Sequence, residues 1–246
     1  MASERFLVRG KARVLVALDV SSLDLAEDLA ADLKDEVGGF KVGLELLTAE
    51  GSRRVIEALR KFNRPIFYDG KFADIPKVCG GAAAAVSRLG VWMFNVHASA
   101  GAAALRECDA NKGNAIVVAV TVLTSLKDEV EDLFGKSAEQ KVLDFARLAA
   151  RNQITGVVCA APDLSAIRAD PETASLLTVV PGIRPLWAAA GDQARIGTPA
   201  WAVAAGADYL VIGRPITDPP PTIGDRKAAA RMIRQEIEEA DRGLAP

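Results

Sequence analysis

Histidine is nearly absent from this chain of 246 residues: His97 is the only one. A His-rich metal site is therefore excluded, because zinc and similar ions are held largely by imidazole and thiolate. Thiolate is scarce too. Cys79, Cys108 and Cys159 are odd in number and far apart, so they imply neither a disulfide framework nor a zinc cluster. That cysteine usage makes the cytoplasm the expected compartment. No apolar run is long enough to span a bilayer, and no early segment joins a basic start to an apolar core. Charge of one sign is missing as well. Thirty Lys and Arg stand against 32 Asp and Glu, for a net charge of −2, which argues against a nucleic-acid partner or an acidic membrane surface. Trp92, Trp187 and Trp201 share no spacing, so packing is their expected role.

What is present is globular: half of the residues are hydrophobic and a quarter charged. This length fits two small domains or one α/β barrel. Residues 1–11 are polar and read as a loose leader. Beyond them, apolar runs at 13–19, 40–44, 66–72, 91–96, 115–122, 156–160, 176–180 and 208–212 read as strands. Helical patterns lie between and after them, at 23–33, 48–61, 78–89, 102–110, 138–152, 163–169, 199–205 and 221–240. Ser21-Ser22 caps the first helix, Gly38-Gly39 breaks it, and Gly90 stops the alanine-rich third. Eight strands alternating with eight helices predict an α/β fold, a (β/α)₈ TIM barrel over 12–246, rather than a doubly wound sheet. Glu131-Asp132 and residues 236–241 are expected on solvated helix faces.

The third strand is the most informative. Ile66-Phe67-Tyr68-Asp69-Gly70-Lys71-Phe72-Ala73-Asp74-Ile75-Pro76 carries three charges at the end of an apolar run. Residues two apart share a strand face, so Asp69 and Lys71 should project together, with Gly70 leaving space between them. Charges buried this close must pair or act on a ligand. The plainer alternative is an ordinary ion pair, with Asp74 as a helix N-cap ahead of Pro76. The other strand ends weigh against it. A barrel builds its catalytic face there, and the ends supply Asp19, Lys41, His97, Thr121, Thr124-Ser125, Pro181-Gly182-Ile183-Arg184 and Gly213-Arg214. Barrels often bind phosphate beside the loops after strands seven and eight. Gly182 and Gly213 allow close backbone approach to an anion, and Arg214 offers a planar donor fork. Both point to a phosphorylated substrate. The long loop from Arg184 to Gly197, with Gly191 and Gln193, is a candidate lid. His97 is expected to be structural.

These blocks resemble one family. Asp69-Gly70-Lys71-Phe72-Ala73-Asp74-Ile75-Pro76 is similar to the D-x-K-x-x-D-I signature of orotidine 5′-monophosphate decarboxylases. The resemblance extends in the same order through Leu18-Asp19, Lys41 to Leu46, Asn95 to Ala98, Val120 to Ser125, Pro181 to Arg184, Gly191-Asp192-Gln193 and Tyr209 to Thr217. Single tripeptides would be weak; their ordered combination, closest to the bacterial-type branch, is specific.

The resemblance implies removal of CO₂ from orotidine 5′-monophosphate to give UMP, with no metal and no organic cofactor. It implies that Lys71 stabilises the C6 carbanion and then protonates it, with Asp69 beside the substrate carboxylate. Lys41, Asp69, Lys71 and Asp74 would form an alternating charge array that keeps the ammonium groups protonated. Asp74 would come from the neighbouring subunit of a homodimer. Asp19 and Lys41 match ribose contacts and Thr124 a pyrimidine contact. Pro181, Arg184, Gln193, Gly213 and Arg214 match the phosphate and lid group. One departure is Lys77-Val78 where the family has Asn-Thr, which deletes a ribose-side hydroxyl; Ala100 in place of Gly is a lesser one. Two alternatives stand beside this reading. One is a related decarboxylase of keto-sugar phosphates that depends on magnesium, a metal for which Lys41 stands where an acidic ligand is wanted. The other is a nucleotide-binding homologue that has lost catalysis.

Overall fold

The computed structural model describes residues 9–126, 129–188 and 195–243. Eight parallel strands close on one another in chain order: β1 (Val14–Ala17), β2 (Gly39–Gly43), β3 (Ile66–Phe72), β4 (Met93–His97), β5 (Ile116–Val120), β6 (Gly156–Val158), β7 (Leu177–Val180) and β8 (Tyr209–Ile212). β8 pairs back onto β1, with Leu15 opposite Val211. This is the expected (β/α)₈ barrel. Strand parity divides its apolar residues into two sets. Leu15, Ala17, Phe67, Met93, Val118, Val179 and Val211 form an inner plug. Their strand neighbours Val14, Val16, Phe40, Val42, Tyr68, Phe94, Val117 and Leu210 belong to the larger layer under the helices. Burial on both faces is why the strands read as unbroken apolar runs.

The helices around the barrel are α1 (Leu23–Leu33), α2 (Leu44–Glu50), α3 (Ser52–Leu59), α4 (Pro76–Arg88), α5 (Ala102–Ala110), α6 (Glu129–Phe134), α7 (Ala138–Arg151), α8 (Leu164–Ala169), α9 (Pro199–Ala204), α10 (Arg214–Thr217) and α11 (Arg226–Gly243). The first begins as expected. Ser22 Oγ accepts the Leu25 N–H at 3.4 Å, and Leu23, Ala26, Leu29, Ala30 and Leu33 are buried at helical spacing.

Several local expectations change. The single helix at 48–61 is two, α2 and α3, because Gly51 sits between them at φ +80°, a left-handed conformation that breaks the helix. Asp74 does not cap α4: the N-cap is Ile75, and the Asp74 carboxylate accepts the adjacent Ile75 N–H at 2.6 Å. A four-residue helix, α10, follows β8 and begins at Arg214 itself. Residues 236–241 are not simply solvated. Glu236 Oε1 accepts the Ala200 N–H at 3.0 Å, and Asp241 pairs with Arg13 at 2.8 Å, each side chain only 10% exposed. Of the expected leader, residues 1–8 lie outside the described residues; Gly10–Arg13 form a 3₁₀ turn whose Gly10 N–H donates to Asp241 at 2.8 Å.

One largely buried cation fastens the seventh and eighth strands. Arg168, on α8, donates to the carbonyls of Ala174, Leu176 and Gly206, to Thr178 Oγ1, and to Asp208 Oδ2 at 2.9 Å. Asp208 also accepts the Thr178 N–H at 2.8 Å. Deleting one partner of a buried ion pair strands the other. Arg168→Leu is therefore expected to cost about 3 kcal/mol, the lower end for such a break, and to lower Tm by roughly 6–12 °C for a chain of this size. A thermal melt within ~2 °C of wild type would show that the network is dispensable.

Candidate active site

The strands deliver their polar ends to one cavity of about 450 Å³, within the roughly 300–1,000 Å³ usual for small-molecule sites. Its wall contains Asp19, Lys41, Asp69, Lys71, Thr124, Pro181, Gly182, Arg184, Gly213 and Arg214. Of the residues that the resemblance assigns to the site, all but two are thus brought together, whereas the strand-end residues His97, Thr121 and Ser125 do not line the cavity. Asp74 is exposed and does not line the cavity of its own chain. Gln193, with Gly191 and the middle of the candidate lid, lies outside the described residues. Thr121 is buried as a fastener, donating to the Val158 carbonyl at 2.8 Å.

Charges alternate along the part of the wall built by β1 to β3. Lys41 Nζ lies 2.6 and 2.9 Å from the two Asp19 oxygens and 3.4 Å from Asp69 Oδ2. Lys71 Nζ lies 2.7 Å from Asp69 Oδ1. Burial would push the Asp69 carboxyl up. Lys41, then Lys71, with hydrogen bonds from Lys71 and Asn95, more than offset this and hold it below the ordinary carboxylate range. The carboxylate is therefore ionised at neutral pH, and it anchors both ammonium groups. The His97 pKa is lowered too, but toward its neutral form: partial burial and then Lys71 lower it against the opposing pull of Asp69, so the imidazole is neutral at pH 7.

Lys71 does not sit in a regular strand. Between Tyr68, opposite Phe94, and Phe72, opposite Val96, β3 carries Asp69, Gly70 and Lys71 where β4 carries only Asn95. The extra length forms a bulge, a common way to re-aim a side chain beside an active site. Within it Lys71 has φ +48°, left-handed for a residue with a side chain. Gly70 is required by contact, since a Cβ there would be driven into the Tyr68 ring. That ring is tethered by a 2.8 Å hydrogen bond between its hydroxyl and Ser52 Oγ.

A second stretch of wall comes from the loops after β7 and β8. Arg184 is buried, and its guanidinium is disfavoured as a cation by that burial and by the neighbouring Arg214. Two guanidiniums that repel one another across a cavity are stabilised by an anion between them. The Arg184 backbone N–H donates to the Gly197 carbonyl at 2.9 Å, which joins the two stems of the long loop.

Sequence reasoning assigned no role to Asn95 or Thr217. Thr217 lines the cavity. Asn95 is 1% exposed and donates to Asp69 Oδ1 at 2.6 Å while accepting the Lys71 N–H at 2.7 Å. The available signal was a polar side chain inside an otherwise apolar strand. The apolar lining, Val122, Leu123, Val158, Cys159 and Val211, gave none, since it looks like any core. Among the described residues, no group of three or more His, Cys, Asp or Glu is arranged to hold a metal ion.

The model of the orotidine 5′-phosphate decarboxylase / HUMPS family matches residues 12–233. A protein of Heliobacterium modesticaldum named orotidine 5′-phosphate decarboxylase is 42% identical over 97% of this chain and 99% of its own. A protein of the same name from Anaeromyxobacter dehalogenans is 45% identical, over 90% of this chain and 96% of its own. The crystal structure of orotidine 5′-phosphate decarboxylase from Lactobacillus acidophilus superposes with a TM-score of 0.77 at 30% identity, covering 91% of this chain and 98% of that one. On a match that spans the whole barrel and its charged cavity, the chain belongs to the orotidine 5′-phosphate decarboxylase / HUMPS family.

Proposed function

We propose that this chain converts orotidine 5′-monophosphate to UMP, the last step of de novo pyrimidine synthesis, through Lys71. The observation that carries the proposal is the Lys71 ammonium held 2.7 Å from an ionised, largely buried Asp69 in the cavity wall. The bond from C6 to the carboxylate breaks, its electron pair stays on C6, and CO₂ leaves. No electron sink is conjugated with that pair, so a cation already in place is the available stabiliser. Lys71 supplies it and then passes a proton to C6. Asp69 fixes the ammonium and crowds the substrate carboxylate. Asp19 and Lys41 take the ribose hydroxyls and Thr124 the pyrimidine. Pro181, Arg184, Gly213 and Arg214, joined by Gln193, take the phosphate. Binding energy spent at that remote group is then realised in the chemical step.

The family's description couples two activity names, whereas the relatives above carry only one. The residues favour that one. An ammonium, Lys41 Nζ, already stands between Asp19 and Asp69, where a divalent cation would join the two carboxylates. This arrangement does not fit the magnesium-dependent alternative. Three free, buried cysteines suit a reducing cytoplasm, and no helix among the described residues is long and apolar enough to cross a membrane.

The working form is a homodimer. Asp74 is exposed and does not line its own cavity, and beside it in the chain Ile75 is 64% and Val78 48% exposed. Such an apolar patch beside a carboxylate suits burial against a second copy, with each Asp74 completing the partner's site. There Val78 contributes apolar contact in place of the hydroxyl that the family has at this position.

Purified protein is expected to turn over orotidine 5′-monophosphate in excess EDTA, followed by the absorbance change of the ring. Lys71→Ala is expected to lower kcat at least about 10³-fold while UMP still binds. Activity abolished by the chelator, or retained in Lys71→Ala, would overturn the reading. Asp74 is tested by mixing two inactive homodimers, Lys71→Ala and Asp74→Ala. With subunit exchange verified, activity is expected to rise to about a quarter of wild type, since half of the dimers are mixed and each of those has one intact site of two. No recovery would remove Asp74 from a shared site.

A further inference from the structure

The β3 bulge raises the question of what holds it open. In a regular parallel ladder the backbone of β4 would pair with that of β3 at every step. Across Asp69, Gly70 and Lys71 that pairing is interrupted, and one side chain spans the gap. Asn95 Oδ1 accepts the Lys71 backbone N–H at 2.7 Å, and Asn95 Nδ2 donates to Asp69 Oδ1 at 2.6 Å. The orientation of the amide is unambiguous: a backbone N–H only donates and an ionised carboxylate only accepts.

We infer that Asn95 is a positioning residue for decarboxylation, the strut that sets the Asp69 carboxylate and the Lys71 backbone in the geometry from which the ammonium reaches the substrate carbon. This rests on the proposed role of Lys71. Three features single Asn95 out. It is 1% exposed and absent from the cavity wall, so it does not touch substrate. It binds both ends of the bulge at once, whereas the Lys41 and Lys71 ammonium groups bind the bulge only at the Asp69 carboxylate. And its donor shares Asp69 Oδ1 with Lys71 Nζ, so it fixes the oxygen on which the ammonium rests. Left-handed backbone at a residue with a side chain persists only where its surroundings over-determine it. The captured N–H does that here, and the Asp69 contact joins this backbone constraint to the charge array.

A group that acts through others should affect the chemical step and spare ground-state binding. Asn95→Ala and the near-isosteric Asn95→Asp, which keeps an acceptor for the Lys71 N–H and replaces the neutral amide donor to Asp69 by an ionisable carboxyl, are measured beside wild type and Lys71→Ala. The readouts are kcat for orotidine 5′-monophosphate and the Kd for UMP. For each variant that folds, kcat is expected to fall about 10–100-fold, the usual effect of removing a group that orients a reacting one, with the UMP Kd within about threefold of wild type. Near-wild-type kcat in the folded variants would overturn the inference, and so would parallel losses of kcat and UMP binding, which mark general disorganisation. If Ala at 95 fails to fold, the Asp variant decides. Lys71→Ala separates the two levels: turnover surviving that substitution refutes the role of Lys71 itself, whereas its loss with unaffected Asn95 variants refutes only the strut.

Discussion

A carboxylate can be taken out of water only where cations and donors replace the water it gives up. Asp69 meets that requirement with two lysines and an asparagine amide, and the functional end of this barrel depends on the arrangement. Each partner is rooted in a different element. Lys41 comes from β2, Lys71 from the bulge of β3, and Asn95 from β4, so the ladder of a closed barrel fixes their separation. The interaction works in both directions. The cations keep Asp69 ionised, and the ionised Asp69 holds Lys71 in place before any substrate arrives. The cost of ordering these charges is met in folding, which is where a preorganised electrostatic site must meet it.

Much of this was legible in the sequence, for identifiable reasons. Strands buried on both faces give unbroken apolar runs, and eight of them with helices between leave few folds to choose from. The sites followed from topology, because a barrel strand presents its last residues to one cavity, and Asp19, Lys41, Asp69, Lys71, Thr124 and Arg214 all line it. What stayed hidden depended on spatial detail. The expectation that Asp69 and Lys71 share a face rested on a regular pleat; they do meet, but through a bulge with a left-handed lysine. Asn95 looked like one more residue of a buried strand until its two partners were visible. The break at Gly51 and the displaced start of α4 are failures of a different kind. Both are local choices at helix ends, where a single dihedral outweighs periodicity.

The two parts of the cavity solve different problems with different backbone. The charge array stands on strands or at their ends, where paired backbone limits movement, and its chemistry needs a cation held in place. The arginines proposed to bind the phosphate stand on or beside loops. Arg184 follows β7 at a loop stem tied to Gly197, and Arg214 opens a short helix after β8. A phosphate is bound by charge and by a fork of donors, which tolerate more variation in position than proton delivery to one carbon does. Loop-borne groups can therefore grip and release a nucleotide without disturbing the strands.

The same division explains why Asp74 stands apart from the rest of the array. It lies past the end of β3, where the ladder no longer constrains the chain, and its carboxylate is occupied locally by the Ile75 N–H. Among the described residues, no hydrogen bond or ion pair of its carboxylate joins it to Lys71. For a fourth charge to be held as firmly as the other three, a packed surface must replace the missing ladder. The exposed apolar residues Ile75 and Val78 beside it can form such a surface against a second copy. In the proposed homodimer, that packed surface would give the end of the charge array the rigidity that the barrel gives its beginning.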